Sequence, residues 1–407
     1  TAVAILVTFL KKHGALTDWY IPHRLDEGYG LNQEAAKVVV GRGTGLLITV
    51  DCGTTDKKEV EYFNTKGIDV IIVDHHRVQA ESMPDAFALV NPWQPDCEYP
   101  FKELSAAGLA YKLTLAFSGD ITHSDEEFLD LVAVGTVADV VSQTGENRIL
   151  TKLGLKRLGS TKRPGLKALM DAGGISGREI LARHVGFVIG PRINASGRIG
   201  SPELALKLLL TEDKAEAREM AEVLNQENSF RQKIQEEILR EAVTKIEGEF
   251  NFKDNKVIVV WGEGWHPGVI GIVASKIADR FYRPAIVFSV QKEFAKGSGR
   301  SIENFHLFDA VSRCSSLLED FGGHEAACGI RVPKENIERF RDFINTVAQD
   351  MLTPADLVPK IEVDMELPVS ELTADLIEEL QRLEPFGEGN PYPLFVSNNL
   401  LLKDAPA

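Results

Sequence analysis

Val70-Ile-Ile-Val-Asp-His-His76 is an apolar run that stops at a carboxylate and two imidazoles. Its length and β-branched composition are those of a buried strand, so we predict a strand over residues 68–73. Asp74, His75 and His76 then lie together at the carboxyl end of that strand. In open α/β sheets this edge is where ligands bind. The motif therefore predicts a parallel sheet with a binding site at its edge.

Two more acids stand at the ends of apolar segments. The run 45–50 ends at Asp51, and Asp139 lies in a third apolar segment. Each residue also has an ordinary explanation: Asp51 suits a turn, Asp139 a helix end, and each histidine a hydrogen-bonded core position. Carboxylates with imidazole are nevertheless a common ligand mix for divalent metal ions. The combination favours a metal centre with these members: Asp51, His75 and Asp139 as ligands, with Asp74 and His76 beside them.

The ligand mix favours Mn²⁺ or Mg²⁺ over a closed Zn²⁺ site, because hard carboxylate oxygens outnumber imidazole nitrogens. Two such ions about 4 Å apart suit in-line attack of water on a phosphodiester. We therefore expect a metal-dependent phosphodiesterase that holds two ions.

The composition is that of a multidomain soluble protein. A chain of 407 residues is too long for one core, and its 44% hydrophobic and 26% charged residues are ordinary values. No apolar stretch approaches the ~18 residues of a membrane span. The cysteines form no CxxC pair, which favours a reduced, cytoplasmic location; they are Cys52, Cys97, Cys314 and Cys328.

The net charge of −15 argues against nonspecific nucleic-acid binding by the chain as a whole. Residues 147–200 reverse this locally, with eleven Lys and Arg against two acids. A solvated basic helical surface and a nucleic-acid contact both explain the region. Its position directly after Asp139 favours the second interpretation.

Helix and strand patterns alternate through the first ~185 residues, which predicts an α/β fold with a mainly parallel sheet. We include a short strand at Trp19–His23 and a loop at Lys296–Ser301. A stretch without Pro or Gly, residues 213–247, predicts a long connecting helix. The fold class is thus two α/β domains joined by a long helix and followed by a β unit. The predicted limits are 1–200, 201–250 (helix), 251–353 and 354–407.

The second α/β domain has the features of an anion receptor. Gly297-Ser-Gly-Arg-Ser301 offers hydroxyls and a guanidinium, which grips phosphate with paired hydrogen bonds. Gly322-Gly-His324 allows close backbone approach, and Gly264–Gly271 leads into a helix N-terminus. Each segment alone is compatible with a plain turn. Three within one domain favour phosphate binding.

Two further segments carry candidate contacts to a nucleic acid. Arg192 and Arg198 lie in Gly190-Pro-Arg-Ile-Asn-Ala-Ser-Gly-Arg198, which is also compatible with an interdomain hinge. Arg24 and Tyr29 lie in a polar loop and offer a phosphate contact and a stacking face for a base.

Together these motifs resemble the DHH phosphoesterase superfamily, named for the Asp74-His-His76 triplet, and within it the RecJ family of single-strand-specific 5′→3′ exonucleases. The motifs appear in the family's order over nearly the whole chain. They are Arg24-Leu-Asp-Glu-Gly-Tyr-Gly30, Asp51-Cys-Gly53, Asp74-His-His76, Gly135-Thr-Val-Ala-Asp139, Pro191-Arg-Ile-Asn-Ala-Ser-Gly-Arg198, Gly264-Trp-His-Pro-Gly268, Ser298-Gly-Arg-Ser301 and Gly322-Gly-His324.

The resemblance implies specific roles for the site residues. Asp51, His75 and Asp139 would bind the metal, while His76, supported by Asp74, would act at the scissile phosphate. The remaining residues would lie at the DNA: Arg24, Ser298 and Arg300 at the 5′ phosphate, Tyr29 and Arg198 along the strand, and His324 near it.

The resemblance also implies partners and further domains. The substrate would be single-stranded DNA with a 5′-phosphorylated end, in DNA repair and recombination, with a single-strand-binding protein and a helicase as candidate partners and no membrane. The segment from about Lys360 would begin an OB-fold that continues past residue 407. An Asp-x-Asp-Gly loop with further metal ligands is expected before Thr1.

Two alternative functions are also compatible with the sequence. A nanoRNase or small-nucleotide phosphodiesterase of the same superfamily would use a similar metal site, but such chains are shorter and lack a following OB unit. A DNA-binding homologue without catalysis would have lost its metal ligands, and the acids and histidines present here argue against it.

Overall fold

The structure is a computed structural model that describes residues 1–23, 28, 30–78, 81, 83–118 and 126–401. The chain divides into two compact units. Unit 1 comprises Thr1–Asn228 with Glu362–Ala407, and unit 2 comprises Ser229–Ile361. Both contain α/β structure, and a 36-residue helix runs through their boundary. The predicted fold class is confirmed.

The helices are α1 Ala2–Lys12, α2 Gln33–Gly41, α3 Lys57–Thr65, α4 Ala106–Ser118, α5 Leu129–Ala138, α6 Gly145–Gly159, α7 Pro164–Ala172, α8 Ala182–His184, α9 Gly190–Ile199, α10 Pro202–Leu210, α11 Lys214–Glu249, α12 Ile270–Phe281, α13 Leu307–Arg313, α14 Ile337–Met351 and α15 Ala374–Gln381. The strands are β1 Leu46–Val50, β2 Asp69–Val73, β3 Ala88–Val90, β4 Ile258–Glu263, β5 Ala285–Val290, β6 Phe294–Arg300, β7 Asp320–His324, β8 Ala327–Pro333, β9 Met365–Glu366 and β10 Phe395–Val396.

The sheet of unit 1 is parallel, with strand order β1-β2-β3. Val50 pairs with Val73, and Val73 pairs with Val90, so the three strands end at the same level. Helix α5 is buried along nearly its whole length and packs with α1 and α4 into the main core. The strand ends and the end of this buried helix define the candidate site.

Helix α9 continues from α8 through one π-helical turn, Val185–Ile189. Pro191 explains the wide turn, because proline has no N–H to bond the carbonyl four residues earlier. A Cβ added to Gly190 would lie 3.4 Å from the Ala138 Cβ. The lack of a side chain at this position therefore brings the helix close to the end of α5.

Helices α5 and α6 pack closely through a glycine, which yields a stability prediction. A Cβ on Gly154 would collide with the Leu129 carbonyl and lie 2.7 Å from the Ala133 Cβ. Gly154→Ala is expected to destabilise the protein by about 1–3 kcal/mol, because a packed helix pair cannot accommodate the methyl group without moving. Urea unfolding monitored by circular dichroism measures the loss.

Gly159→Ala is the matched control in the same helix. A Cβ at this position meets nothing within 4 Å, and alanine favours a helix over glycine. Equal loss of stability in both variants would contradict close packing at Gly154.

The sheet of unit 2 has the order β4-β5-β6-β8-β7, with β4 and β5 parallel and the remaining pairs antiparallel. The predicted loop at Lys296–Ser301 is wrong, because all but its last residue lie in β6. Glycine occupies positions 297 and 299 of this strand because a Cβ at Gly297 would collide with Phe288, and a Cβ at Gly299 would collide with Leu307. These glycines serve close packing rather than a turn.

The predicted strand at Trp19–His23 is also wrong, since this segment has no regular secondary structure. No strand pairs with it in the described part of the chain. The Trp19 carbonyl instead accepts a hydrogen bond from the Arg42 side chain, at 2.9 Å.

The C-terminal segment packs on the rest of unit 1. Arg148 Nη2 donates to the carbonyls of Arg382 and Leu383 at 3.1 and 3.0 Å. The Gln143 N–H donates to the Glu388 carbonyl at 2.6 Å. The segment that contains β9 and β10 is thus hydrogen-bonded to α6 and to the loop that follows Asp139.

The described ranges contain no helix that is both long and apolar enough to cross a bilayer. All four cysteines are free thiols.

Candidate metal centre and phosphate-binding face

The parallel register brings the polar residues that follow each strand to one edge. The Asp51 N–H donates to the Val73 carbonyl at 3.0 Å, and the Asp74 N–H donates to the Val90 carbonyl at 3.1 Å. Asp51, the triplet 74–76 and Asn91 therefore follow β1, β2 and β3 at neighbouring positions.

His75 lies between two carboxylates. Its Nε2 is 3.0 Å from Asp51 Oδ1 and 3.3 Å from Asp139 Oδ2. Donor atoms of Asp51, His75 and His76 also lie within 4.8 Å of one another. The structure thus brings together the three ligands predicted from the sequence, and His76 lies close enough to contribute a further donor. Asp139 reaches the cluster from the residue directly after α5.

The cluster concentrates negative charge in a partly buried place. Burial raises the pKa of Asp139, the nearby Asp51 carboxylate adds to the rise, and His75 opposes it. Burial alone would lower the pKa of His75, but the hydrogen bond to Asp51 and the charge of Asp139 outweigh it and raise that pKa. Two converging carboxylates and an imidazole are a donor set that fits a divalent cation.

Asp74 anchors the histidine pair. Its side chain is 2% exposed and accepts hydrogen bonds from the N–H groups of Thr54 and His75, at 3.1 and 2.8 Å. It also accepts a bond from His76 Nδ1 at 2.7 Å. Burial acts to raise the pKa of Asp74, but the bonds from His76 and Thr54 outweigh it and hold that pKa far below its usual value. Asp74 therefore stays ionised and fixes the His76 ring.

Two residues at the cluster have left-handed backbones. Asp51 has φ 67°, and Val140, next to Asp139, has φ 59°. A β-branched residue in this region is a genuine outlier, and such strain concentrates at functional sites. Gly53 has φ 111°, and a Cβ there would lie 2.7 Å from Thr49 Oγ1, so no other residue fits this turn.

The thiol of Cys52 does not join the cluster as a charged ligand. Burial, aided by the nearby carboxylates, raises its pKa to about 12. It therefore stays protonated at neutral pH.

A cavity of about 240 Å³ opens beside the carboxylates. Its wall includes Asp51, Asp139 and three residues of α9, Gly190, Ile193 and Asn194. The segment that follows the π-helical turn thus contributes directly to the site.

Sequence reasoning missed Asn91 and Thr54. Asn91 is 2% exposed, and its Nδ2 donates to the His76 carbonyl at 2.9 Å and to Thr54 Oγ1 at 3.1 Å. The signal was present, since Asn91 follows an apolar run, as Asp51 and Asp74 do. That run, β3, is only three residues long.

Unit 2 brings the predicted phosphate residues to one face of its sheet. Ser298 and Arg300 alternate with the buried Gly297 and Gly299 along β6. Arg300 Nη1 donates to Ser298 Oγ at 3.1 Å. A Cβ on Gly271, in the first turn of α12, would lie 3.0 Å from Ser298 Oγ. A helix N-terminus, a hydroxyl and a guanidinium thus converge, which is an anion-binding combination.

On the same face, the two residues that lie in one row with Ser298 across the neighbouring strands have no side chain. Ser298 pairs with Gly329, and Gly329 pairs with Gly322. A Cβ added to either glycine meets nothing within 4 Å. In the next row Ala327 lies between Arg300 and His324. The face is an open strip flanked by the residues that the sequence predicts to bind phosphate.

Several predicted basic residues have structural roles. Arg192, on α9, donates to Asn225 Oδ1 at 3.0 Å and to the Val188 carbonyl at 2.8 Å. Arg163 bonds the buried Asp130 at 3.3 Å, and Arg148 fastens the C-terminal segment. Arg198 is half-buried at the end of the same helix as Arg192, so the segment for which a hinge was the alternative explanation is helical.

Arg24 and Tyr29 lie outside the described residues.

Three family models match the chain in succession. Residues 1–136 match the DHH family, N-terminal domain. Residues 254–350 match the DHHA1 domain, and residues 363–407 match the RecJ OB domain.

Known proteins match over nearly the whole chain. The single-stranded-DNA-specific exonuclease RecJ of Bacillus subtilis (strain 168) is 43% identical over 99% of this chain and 51% of the relative. RecJ of Escherichia coli (strain K12) is 35% identical over 99% of this chain and 73% of the relative. The crystal structure of Thermus thermophilus RecJ with Mn²⁺ has a TM-score of 0.85 at 34% identity, covering 97% of this chain and 57% of that one. The same protein with Mg²⁺ has a TM-score of 0.76 at 32% identity, covering 97% and 54%.

The chain spans about half the length of the Bacillus subtilis relative. Over that span, the identity, the ordered domain matches and the fold agree with the resemblance seen in the sequence. The chain belongs to the RecJ family.

Proposed function

We propose that this chain carries the catalytic part of a metal-dependent exonuclease that degrades single-stranded DNA from the 5′ end by phosphodiester hydrolysis. The observation that carries the proposal is the convergence of Asp51, His75 and Asp139 at one sheet edge, in a member of a family whose relatives are named single-stranded-DNA-specific exonucleases.

Asp51, His75 and Asp139 are the residues that we propose to hold Mn²⁺ or Mg²⁺. The donor set fits because two carboxylates and one imidazole suit these ions, and the Thermus thermophilus relative has been crystallised with both. Such an ion lowers the pKa of bound water and stabilises the charge of a reacting phosphate. We propose two ions for the full-length protein.

His76 and Asp74 would act beside the metal ligands. His76 is nearly half exposed, while Asp74 beneath it is buried. Burial acts against protonation of His76, but the hydrogen bond from its ring to Asp74 is the larger effect and raises its pKa. An imidazole held in one orientation can donate a hydrogen bond to the scissile phosphate.

Ser298 and Arg300 are the residues that we propose for the 5′ phosphate, with His324 two strands away on the same sheet. Their hydrogen-bond donors lie near the first turn of α12, and the open glycine strip leaves room for a strand backbone. Arg24, Tyr29, Arg192 and Arg198 remain predicted strand contacts. Arg192 would act mainly by holding its helix, since both of its bonds are internal.

A polymer substrate is favoured over a small nucleotide. The C-terminal segment is fastened to the rest of unit 1 by Arg148, and it matches the RecJ OB domain. OB-folds bind single strands through grooves and stacking. A single-strand-binding protein and a helicase are proposed as partners on the basis of the family.

The proposal predicts that single strands are cleaved and duplexes are not, and that 3′-labelled and 5′-labelled strands give different products. With Mn²⁺, the full-length protein should shorten a 3′-labelled single strand progressively, and it should release a 5′ label as the first product. A blunt duplex should resist, because stacked and paired bases cannot enter a site built for unstacked ones. Gel electrophoresis resolves all of these products.

EDTA is the control and should stop all cleavage. Comparable digestion of duplex and single strand, or shortening from the 3′ end, would refute the proposed substrate and polarity. Hydrolysis confined to dinucleotides would instead support the small-nucleotide phosphodiesterase.

A further inference from the structure

Arg77 directly follows the His75-His76 pair and stacks on an indole. Its guanidinium carbon lies 3.4 Å from the centroid of the Trp93 ring. At this distance the planar guanidinium and the ring are in contact, and the cation is held over the negative face of the π-system. Arg77 is exposed, and Trp93 is half-buried.

The backbone of Trp93 is held in place by the site itself. The Trp93 backbone N–H donates to Asn91 Oδ1 at 2.9 Å. The same Asn91 side chain bonds the His76 carbonyl and Thr54 Oγ1. One buried amide therefore joins the loops that follow β1, β2 and β3. The position of Arg77 is tied to that of His76 on both sides, through the chain and through Asn91.

No carboxylate among the described residues neutralises the charge of Arg77. In the described ranges it forms no ion pair, whereas Arg163 and Arg42 pair with Asp130 and Asp18. An exposed arginine fixed by stacking alone keeps its N–H groups at the guanidinium edge for another anion.

The sheet order places this cation on a defined side of the metal centre. Asp51 follows β1, His75 and His76 follow β2, and Trp93 follows β3, which lies on the other side of β2. Neighbouring strands are about 4.8 Å apart, so the ends of β1 and β3 are about 10 Å apart. The sheet edge thus changes from acidic at β1 to cationic at β3.

We propose that Arg77, held against Trp93, binds a backbone phosphate of the DNA strand adjacent to the phosphate that is hydrolysed. The proposal rests on the proposed function, since it assumes a strand that crosses the sheet edge. The stacked guanidinium offers paired donors to phosphate oxygens while its planar face is occupied. Asn91 and Trp93 act as positioning residues for this contact.

The test measures binding rather than cleavage. A 5′-phosphorylated oligothymidylate with a 3′ fluorophore is titrated in EDTA at several salt concentrations, and anisotropy gives the affinity. Loss of one phosphate contact on a single strand reduces the slope of log K against log salt by about 0.7. Arg77→Gln should show this reduction and an affinity loss of about 5- to 20-fold at low salt.

Two variants separate the charge from its positioning. Arg77→Lys should keep most of the salt slope, because the charge remains, but lose affinity, because a point charge lacks the paired donors. Trp93→Leu should lose affinity with Arg77 still present. Circular dichroism and thermal unfolding confirm that each variant is folded.

Lys66→Gln is the matched control. Lys66 also lies over an aromatic ring, that of Tyr62, at 5.4 Å, but it precedes β2 and so lies at the opposite end of the sheet. Its removal should leave the salt slope unchanged. An unchanged slope in Arg77→Gln, or an equal change in Lys66→Gln, overturns the phosphate contact.

The two proposals fail in different ways. A wild-type protein that binds single strands with the expected Arg77 effect but does not hydrolyse them with Mn²⁺ would refute the exonuclease and leave the contact standing. If the wild-type protein hydrolyses single strands but Arg77→Gln leaves the salt slope unaltered, the phosphate contact is refuted and the exonuclease stands.

Discussion

Asp139→Ala is expected to abolish hydrolysis of single-stranded DNA while leaving strand binding nearly intact. The Asp139 carboxylate lies 3.3 Å from His75 Nε2 and lines the same cavity as Asp51. Losing a ligand that supports nucleophile generation should lower the rate by about 10³-fold or more. Affinity in EDTA should stay within about threefold, because phosphate contacts come from Lys and Arg.

The measurement pairs single-turnover cleavage with Mn²⁺ and anisotropy in EDTA, both in the full-length protein. Asp96→Ala is the matched control, since Asp96 is an exposed acid of unit 1 outside the cluster, and it should cleave at the wild-type rate. Near-normal turnover in Asp139→Ala would remove this residue from the metal centre.

Arg300→Ala is expected to reduce the preference for 5′-phosphorylated over 5′-hydroxyl ends. A terminal phosphate carries more charge than an internal one, and hydrogen bonds to charged groups contribute roughly 1.5–3 kcal/mol each. The selectivity should therefore fall by about 10- to 100-fold. Competition between two 3′-labelled single strands that differ only at the 5′ end measures it directly.

Arg331→Ala is the control for charge on the same sheet. Arg331 pairs with Glu319 and stacks over Phe294, with its guanidinium carbon 3.9 Å from the ring centroid, so its removal should leave end preference unchanged. An equal loss of activity on both ends in Arg300→Ala would make this arginine a general backbone contact.

Gly329→Leu tests the open strip independently. The backbone at this position does not need glycine, and a Cβ there meets nothing within 4 Å. The variant should fold, and its side chain should obstruct a strand lying on Ser298. Normal cleavage by this variant would show that DNA does not follow this face.

The positions of the acids after β1 and β2 could be predicted from the sequence, because they depend only on strand length and on the parallel arrangement of the strands. Apolar runs of strand length locate Asp51 and Asp74, and parallel strands place their carboxyl ends at one edge. The pairing of Val50 with Val73 then follows. The contribution of Asp139 needed more, since the approach of a helix end to a sheet edge depends on tertiary packing.

Other features escaped for identifiable reasons. Strand β3 is three residues long, too short for a periodic pattern, so Asn91 was overlooked. Glycine is typical of turns, but Gly297 and Gly299 lie in a strand. Glycine is present there because large side chains pack directly against the backbone. Packing outweighs local preference in this strand.

The basic region 147–200 illustrates the limit of charge counting. Arg148 and Arg163 are committed to carbonyls and to a buried acid, which composition alone does not reveal. The predicted domain limits remain predictions.

The π-helical turn before Pro191 has a consequence for tolerance of length changes. A turn of this kind holds one residue more than an α-helical turn, so deleting one residue from Val185–Ile189 would restore regular geometry. Because the wide turn accommodates its extra residue within one turn, this deletion would leave Ile193 and Asn194 on the same side of the helix, at the cavity wall. Each residue of a regular α-helix advances the rotation by about 100°, so deleting Arg192 instead would rotate Ile193 and Asn194 away from the cavity. Tolerance of a one-residue deletion therefore depends on whether it falls inside or outside the wide turn.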